Sequence, residues 1–296
     1  MVNIVNGEVI PPHEKVADVP RPIRVSTYEE VAGRAKFVRA LLAGKNICIH
    51  RDSALGTILR EAEKLAENWV AGRTDGGIRQ LVNAAHANRI AEAIEMTSSE
   101  PTVNEALRRM AGNDMNLSGR SPSQGKDALW ELDFVSFLRR RNVIARLEDP
   151  PDIVAQFDFG DYAIACKKIY SERGVEAQVR KGAKQLSRFG GAGIVAINID
   201  DLVPEDALLQ SATQDHAGDF LAKFNGDFIE RHRARIQRFV IDGRCDGVLV
   251  STTVLSDIVR SDPRFNLCTE ATMWSVEGLE RSVVERVASV RRSLEM

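Results

Sequence analysis

Asp149-Pro150-Pro151-Asp152-Ile153-Val154-Ala155-Gln156-Phe157-Asp158-Phe159-Gly160-Asp161-Tyr162-Ala163-Ile164-Ala165-Cys166-Lys167-Lys168 is the stretch on which the reading of this chain turns. The double proline breaks what precedes it, and two apolar runs, 153–159 and 162–170, follow on either side of Gly160-Asp161. A glycine-containing turn signal between two such runs predicts an antiparallel hairpin. Side chains alternate along a strand, so Ala163, Ala165 and Lys167 share one face. The reversal would bring Lys167 back to the sheet edge where Asp152 begins the first strand. An isolated charge is costly to bury. A lysine ending an apolar run is therefore better explained by a paired site, one able to grip a cation and a phosphate.

Working outward, residues 128–141 have Trp130, Phe134, Phe137 and Leu138 close to one face and predict a helix. Residues 143–147 read as a strand. Downstream, 175–189 is an amphipathic helix closed by Gly190-Gly191. Then follow a buried strand at 193–199, a long helix at about 219–240, strands at 246–253 and 267–275, and a last helix at 278–294. This order predicts an α/β fold with a mixed central sheet flanked by helices. Residues 1–24 read as an extended, Pro-rich lead segment, and 25–112 as a mainly helical region with helices at 27–43, 53–70, 77–96 and 102–110. Residues 113–126 are polar and rich in Gly, Ser and Asn, as a linker or loop is. The α/β domain would occupy 127–296.

The chain has 296 residues, 44% hydrophobic and 28% charged, with 40 Lys and Arg against 42 Asp and Glu. That composition supports a buried core and excludes bulk disorder and a uniformly basic coat. No apolar run reaches the roughly 18 residues of a membrane span, and no charged-then-apolar leader opens the chain. Four scattered cysteines without a C-x-x-C pair argue against a disulfide scaffold or a zinc knuckle. A cytoplasmic protein is the expectation. The histidines show no spacing suited to a triad with Ser or Cys.

Glu131 on a helix, Pro151-Asp152, a hairpin, Ala165-Cys166-Lys167 and a helix carrying Gln178 together resemble the PD-(D/E)XK nuclease superfamily, the restriction-endonuclease-like fold. The similarity covers about residues 127–275 and leaves the N-terminal helices outside. It implies metal-dependent hydrolysis of phosphodiesters, with Mg2+ or Mn2+ held by acidic residues and a lysine that positions the attacking water. By match to the motif, Asp152 and Glu131 would be metal ligands, the Cys166 carbonyl a further one, and Lys167 the active-site lysine, with Gln178 beside them. A metal ion in such a site lowers the pKa of its bound water and offsets phosphoryl charge.

One position departs from the pattern: the acid expected two residues before the lysine is Ala165. Three readings stand open. An acid has moved to the next helix, with Glu176 first and Glu172 second; an inactivating substitution replaces the acid; or the protein has lost catalysis and binds only nucleic acid or a protein partner. Across 161–188 there are seven Lys or Arg against three acids, a balance of +4. Lys168, Arg180, Lys181, Lys184 and Gln185 are the expected nucleic-acid contacts. Such clusters bind phosphate backbones. The resemblance favours DNA over RNA and places the protein among restriction or phage-defence nucleases. The N-terminal helices would meet substrate, a second copy or a partner protein.

Overall fold

The computed structural model describes residues 4–5, 8–9, 26–73, 77–205, 207–261 and 265–295. The expected lead segment lies almost wholly outside them. Its described part is a short antiparallel pair, β1 (Ile4–Val5) and β2 (Glu8–Val9). The chain divides into two compact units, one of residues 22–140 and one containing 141–296.

The first unit is helical. It comprises α1 (Tyr28–Gly44), α2 (Ala54–Val70), α3 (Ile78–Thr97), α4 (Val103–Gly112) and α5 (Gln124–Arg139). Three of these helices open on a side-chain cap. Thr27 accepts from the Glu30 amide while Glu30 returns a bond to the Thr27 amide, a reciprocal capping box. Ser53 caps α2 and Ser123 caps α5. Residues 113–123 are a loop whose Ser123 hydroxyl donates to the Asp114 carbonyl at 2.5 Å. The arginines at the end of the α5 run serve partly to tie this unit together: Arg139 binds Glu100 and the Met96 carbonyl, and Arg140 binds Glu92. The division after Arg140 leaves α5 in the helical unit.

The second unit is α/β, with a mixed seven-stranded sheet flanked by helices. Its strands are β3 (Ile144–Glu148), β4 (Asp152–Phe157), β5 (Gly160–Lys168), β6 (Gly193–Asn198), β7 (Leu209–Ser211), β8 (Gly247–Ile258) and β9 (Phe265–Trp274). The spatial order is β3-β4-β5-β6-β8-β7, with β9 also paired to β8. β3, β4 and β5 run antiparallel as a meander. β5, β6 and β8 are parallel neighbours, and β9 returns antiparallel along β8. The β4–β5 reversal falls two residues earlier than the sequence suggested. Phe157 pairs with Gly160, so Asp158 and Phe159 form the two-residue turn. Gly160 has φ +113°, a value glycine reaches without Cβ strain. The short β7 was not legible, because three half-exposed residues have no usable period.

Two helices, α6 (Val175–Arg188) and α7 (Gln214–Ile241), share one hydrophobic core with the sheet. On α6 the apolar residues Val175, Val179, Ala183 and Leu186 recur every three or four positions and are fully buried. They pack with Ala163 and Ala165 of β5, Val195 and Ile197 of β6, and Phe228, Ile236 and Phe239 of α7. Burial of the larger of these side chains, Val, Leu, Ile and Phe, stabilises by about 1.5–3 kcal/mol each. Gly190 and Gly191, both at positive φ, end α6. Gly182 sits on the same apolar side for a steric reason: a Cβ there would lie 2.8 Å from Val195 Cγ1 and 3.5 Å from the Ala165 Cβ. The helix therefore rides unusually close to β5 and β6. The last helix, α8 (Arg281–Glu295), is anchored through Arg286.

Candidate functional site at the β4–β5 edge

Pairing of Ile153 with Ile164 brings Asp152 level with the end of β5. The structure puts Asp152 and Lys167 in contact, with Lys167 Nζ 2.9 Å from Asp152 Oδ2. The same ammonium donates to the Cys166 carbonyl at 2.6 Å. Asp152 Oδ2 also accepts from the Cys166 amide at 2.7 Å, and Oδ1 accepts from Gln185 Nε2 at 2.9 Å. Three donors thus hold one carboxylate. Both charged side chains are largely buried, 13% exposed for Lys167 and 12% for Asp152. Burial pushes the Asp152 carboxyl above its ordinary range, against the opposing pull of Lys167, the Cys166 amide and Gln185. Asp152 has φ +133°, a region that residues with a Cβ rarely enter. Backbone strain of this kind costs about 1–3 kcal/mol and clusters at functional positions.

Of the two glutamines on α6, Gln185 reaches Asp152; Gln178, two turns earlier, lies half-buried on the same side of the helix. Gln185 Oε1 is buried without a hydrogen-bond donor. The helical period sets Gln178, Lys181, Gln185 and Arg188 in one strip at i, i+3, i+7 and i+10, with Lys184 alongside. Lys181, Lys184 and Arg188 are exposed and have no acidic partner among the described residues. Sequence reading counted Arg188 in the basic cluster but left it out of the expected contacts, although its place three residues after Gln185 was the available signal. It also passed over Gly182, a glycine on the apolar face of a helix, which costs about 1 kcal/mol unless close packing requires it.

The other expected site residues are engaged elsewhere. Glu131 belongs to the helical unit and holds Arg109 through two hydrogen bonds, at 3.1 and 2.5 Å. Glu176, the first candidate for a relocated acid, is ion-paired with both Arg180 and Arg238. Glu172, the second, binds Arg231 at 2.7 Å and lies 3.4 Å from His232 Nε2. The arginine run of α7 is thus partly a zipper to the turn and helix before it. Lys168, expected on a nucleic-acid surface, is a correction. It alternates to the face opposite Lys167, is 8% exposed, and is bound to Asp201 at 2.5 Å and to Asn198 Oδ1 at 2.5 Å. The alternation of strand side chains already contained that result.

The donor set does not fit a magnesium ion. Such an ion takes about six oxygen ligands in near-octahedral geometry, usually with one or two carboxylates. Around Asp152 the oxygens on hand are one carboxylate, already held by three donors, the Cys166 carbonyl, already held by Lys167, and the neutral amide oxygen of Gln185, so only one of them is anionic. Among the described residues no three His, Cys, Asp or Glu side chains cluster as metal ligands do. Ala165 is fully buried, and its Cβ faces the close approach of α6 at Gly182. This packing suits alanine and leaves no room for a longer acid without moving the helix.

No family model matches the chain, and no match was found among curated proteins or solved structures. No helix among the described residues is long and apolar enough to cross a membrane.

Proposed function

We propose that the sheet unit is a non-catalytic, restriction-endonuclease-like module that binds the phosphate backbone of DNA along α6. One observation carries this reading: Gln185, which holds the largely buried Asp152–Lys167 pair, lies in a helical strip with the exposed cations Lys181, Lys184 and Arg188, which have no acid partner among the described residues. Clustered cations of this kind gain affinity by releasing counterions from the polyanion. The amide of Gln178 adds a neutral donor on the same side. Hydrolysis, the activity the resemblance implies, is the weaker reading because Asp152 is held by Lys167, Glu131, Glu172 and Glu176 are committed to arginines, and the remaining acid position is Ala165.

Fluorescence anisotropy with a short labelled DNA duplex tests the proposal. Affinity should fall steeply with salt. Removing three phosphate contacts with Lys181→Ala, Lys184→Ala and Arg188→Ala together should reduce the log–log salt slope by about 2 to 3. Salt-insensitive binding, or none, refutes the module. Cleavage in magnesium or manganese that Lys167→Ala abolishes would reinstate the nuclease.

A further inference from the structure

The structure assigns to Lys167 the role of the site's resident cation: its ammonium occupies the place between Asp152 and the Cys166 carbonyl that a divalent ion would require, so the unit engages nucleic acid without one. The second half of this statement rests on the DNA-binding reading; the first stands on geometry alone.

The argument starts from the oxygens. A divalent ion sharing Asp152 Oδ2 and the Cys166 carbonyl would sit about 2.0–2.1 Å from each for magnesium. The Lys167 ammonium already lies between those atoms, at 2.9 and 2.6 Å. An ion and an ammonium cannot share that space, so one must displace the other. Displacing Lys167 is costly, because its side chain is packed to 13% exposure and its hydrogen bonds would be lost. An ion would then inherit a single carboxylate whose other oxygen is held by Gln185. Neither acid that could have moved to the next helix can be recruited without breaking an existing pair. Glu176 holds two arginines, Glu172 holds Arg231, and position 165 is an alanine under the close crossing of Gly182. The arrangement neutralises its carboxylate internally. A phosphate at this end of β5 would therefore meet a neutral pair, and the positive charge it needs comes from α6, through Lys181 and Arg188.

Titration of the full chain with Mn2+, followed by the loss of the free-ion EPR signal, tests the first half. The wild type should show no saturable site tighter than about 1 mM, and its titration should superimpose on that of Asp152→Asn. Lys167→Met removes the resident cation and should raise Mn2+ affinity at least about tenfold. Saturable Mn2+ binding in the wild type that Asp152→Asn abolishes would overturn the assignment. So would a Lys167→Met protein, folded by circular dichroism, that binds Mn2+ no better than wild type. The second half is read from DNA anisotropy in EDTA. Affinity should be retained there and should not rise when magnesium is added; a requirement for magnesium would overturn it. If the wild type binds no DNA at all, the module reading falls, while the Mn2+ titrations still decide the place of Lys167.

Discussion

Asp152 and Asp246 are two buried aspartates of the same sheet unit, each neutralised by a cation of the chain itself, and they differ in what surrounds the pair. Asp246 receives Arg286 through two parallel hydrogen bonds, 2.8 and 2.9 Å, and the Tyr162 hydroxyl at 2.9 Å. These bonds join β5, the start of β8 and α8. Burial, then the neighbouring Asp246 charge, holds the Tyr162 hydroxyl well above its ordinary pKa, so it stays a donor. Beside it the Cys245 thiol is pushed up to about 12, chiefly by burial. Asp152 is gripped as fully, yet its backbone is strained and its partner Gln185 sits within a strip of exposed cations. A buried ion pair alone is weak evidence of either stability or function. Strain, and continuity with uncompensated surface charge, distinguish the two.

The largest effect should come from the Asp246 corner. Asp246→Ala leaves Arg286 and the fully buried Tyr162 hydroxyl without their acceptor and should destabilise by about 3 kcal/mol, measured by urea unfolding. DNA affinity under folding conditions should not change. A loss of affinity without loss of stability would erase the contrast between the two aspartates. Gly182→Ala forces a Cβ into Val195 and should cost about 2 kcal/mol, read the same way. A neutral result would mean that α6 does not need its close approach.

At the other site the expected changes are smaller and of opposite sign. Asp152→Asn releases Lys167 toward phosphate and should tighten DNA binding about fivefold, or about 1 kcal/mol, whereas Lys167→Met should weaken it by a similar factor. Equal signs for the two variants would show that the pair acts only as a structural unit.

The smallest effect concerns a buried ionisable group with no firm partner. His232 is 4% exposed, and its ring nitrogens lack hydrogen bonds. Burial lowers its pKa, with Arg235 and Arg231 acting the same way and Glu172 opposing. A lowered folded pKa means that the unfolded chain takes up the proton first. Stability should fall as pH drops below the ordinary 6.5 toward the depressed folded value, and His232→Gln should flatten that dependence in thermal melts.

Much of the site was legible because strand alternation and chain reversal are short-range rules. They placed Lys167 on the face of Ala163 and Ala165, and returned it to Asp152, even though the turn itself lay two residues from its expected centre. The same alternation would have removed Lys168 from the surface list. Helical period put Gln178 and Gln185 on one side of α6, but which of them meets Asp152 depends on where the helix crosses the sheet, and Gly182 sets that crossing.

The local sequence by itself determined the α/β alternation, the apolar face of α6 and the meeting of an aspartate with a lysine, since each follows from spacing along a few consecutive residues. Only the tertiary structure decided which charges were spent. Glu131, Glu172, Glu176 and Lys168 all found partners remote in the chain, and a charge's partner is fixed by proximity in space, which no local pattern encodes.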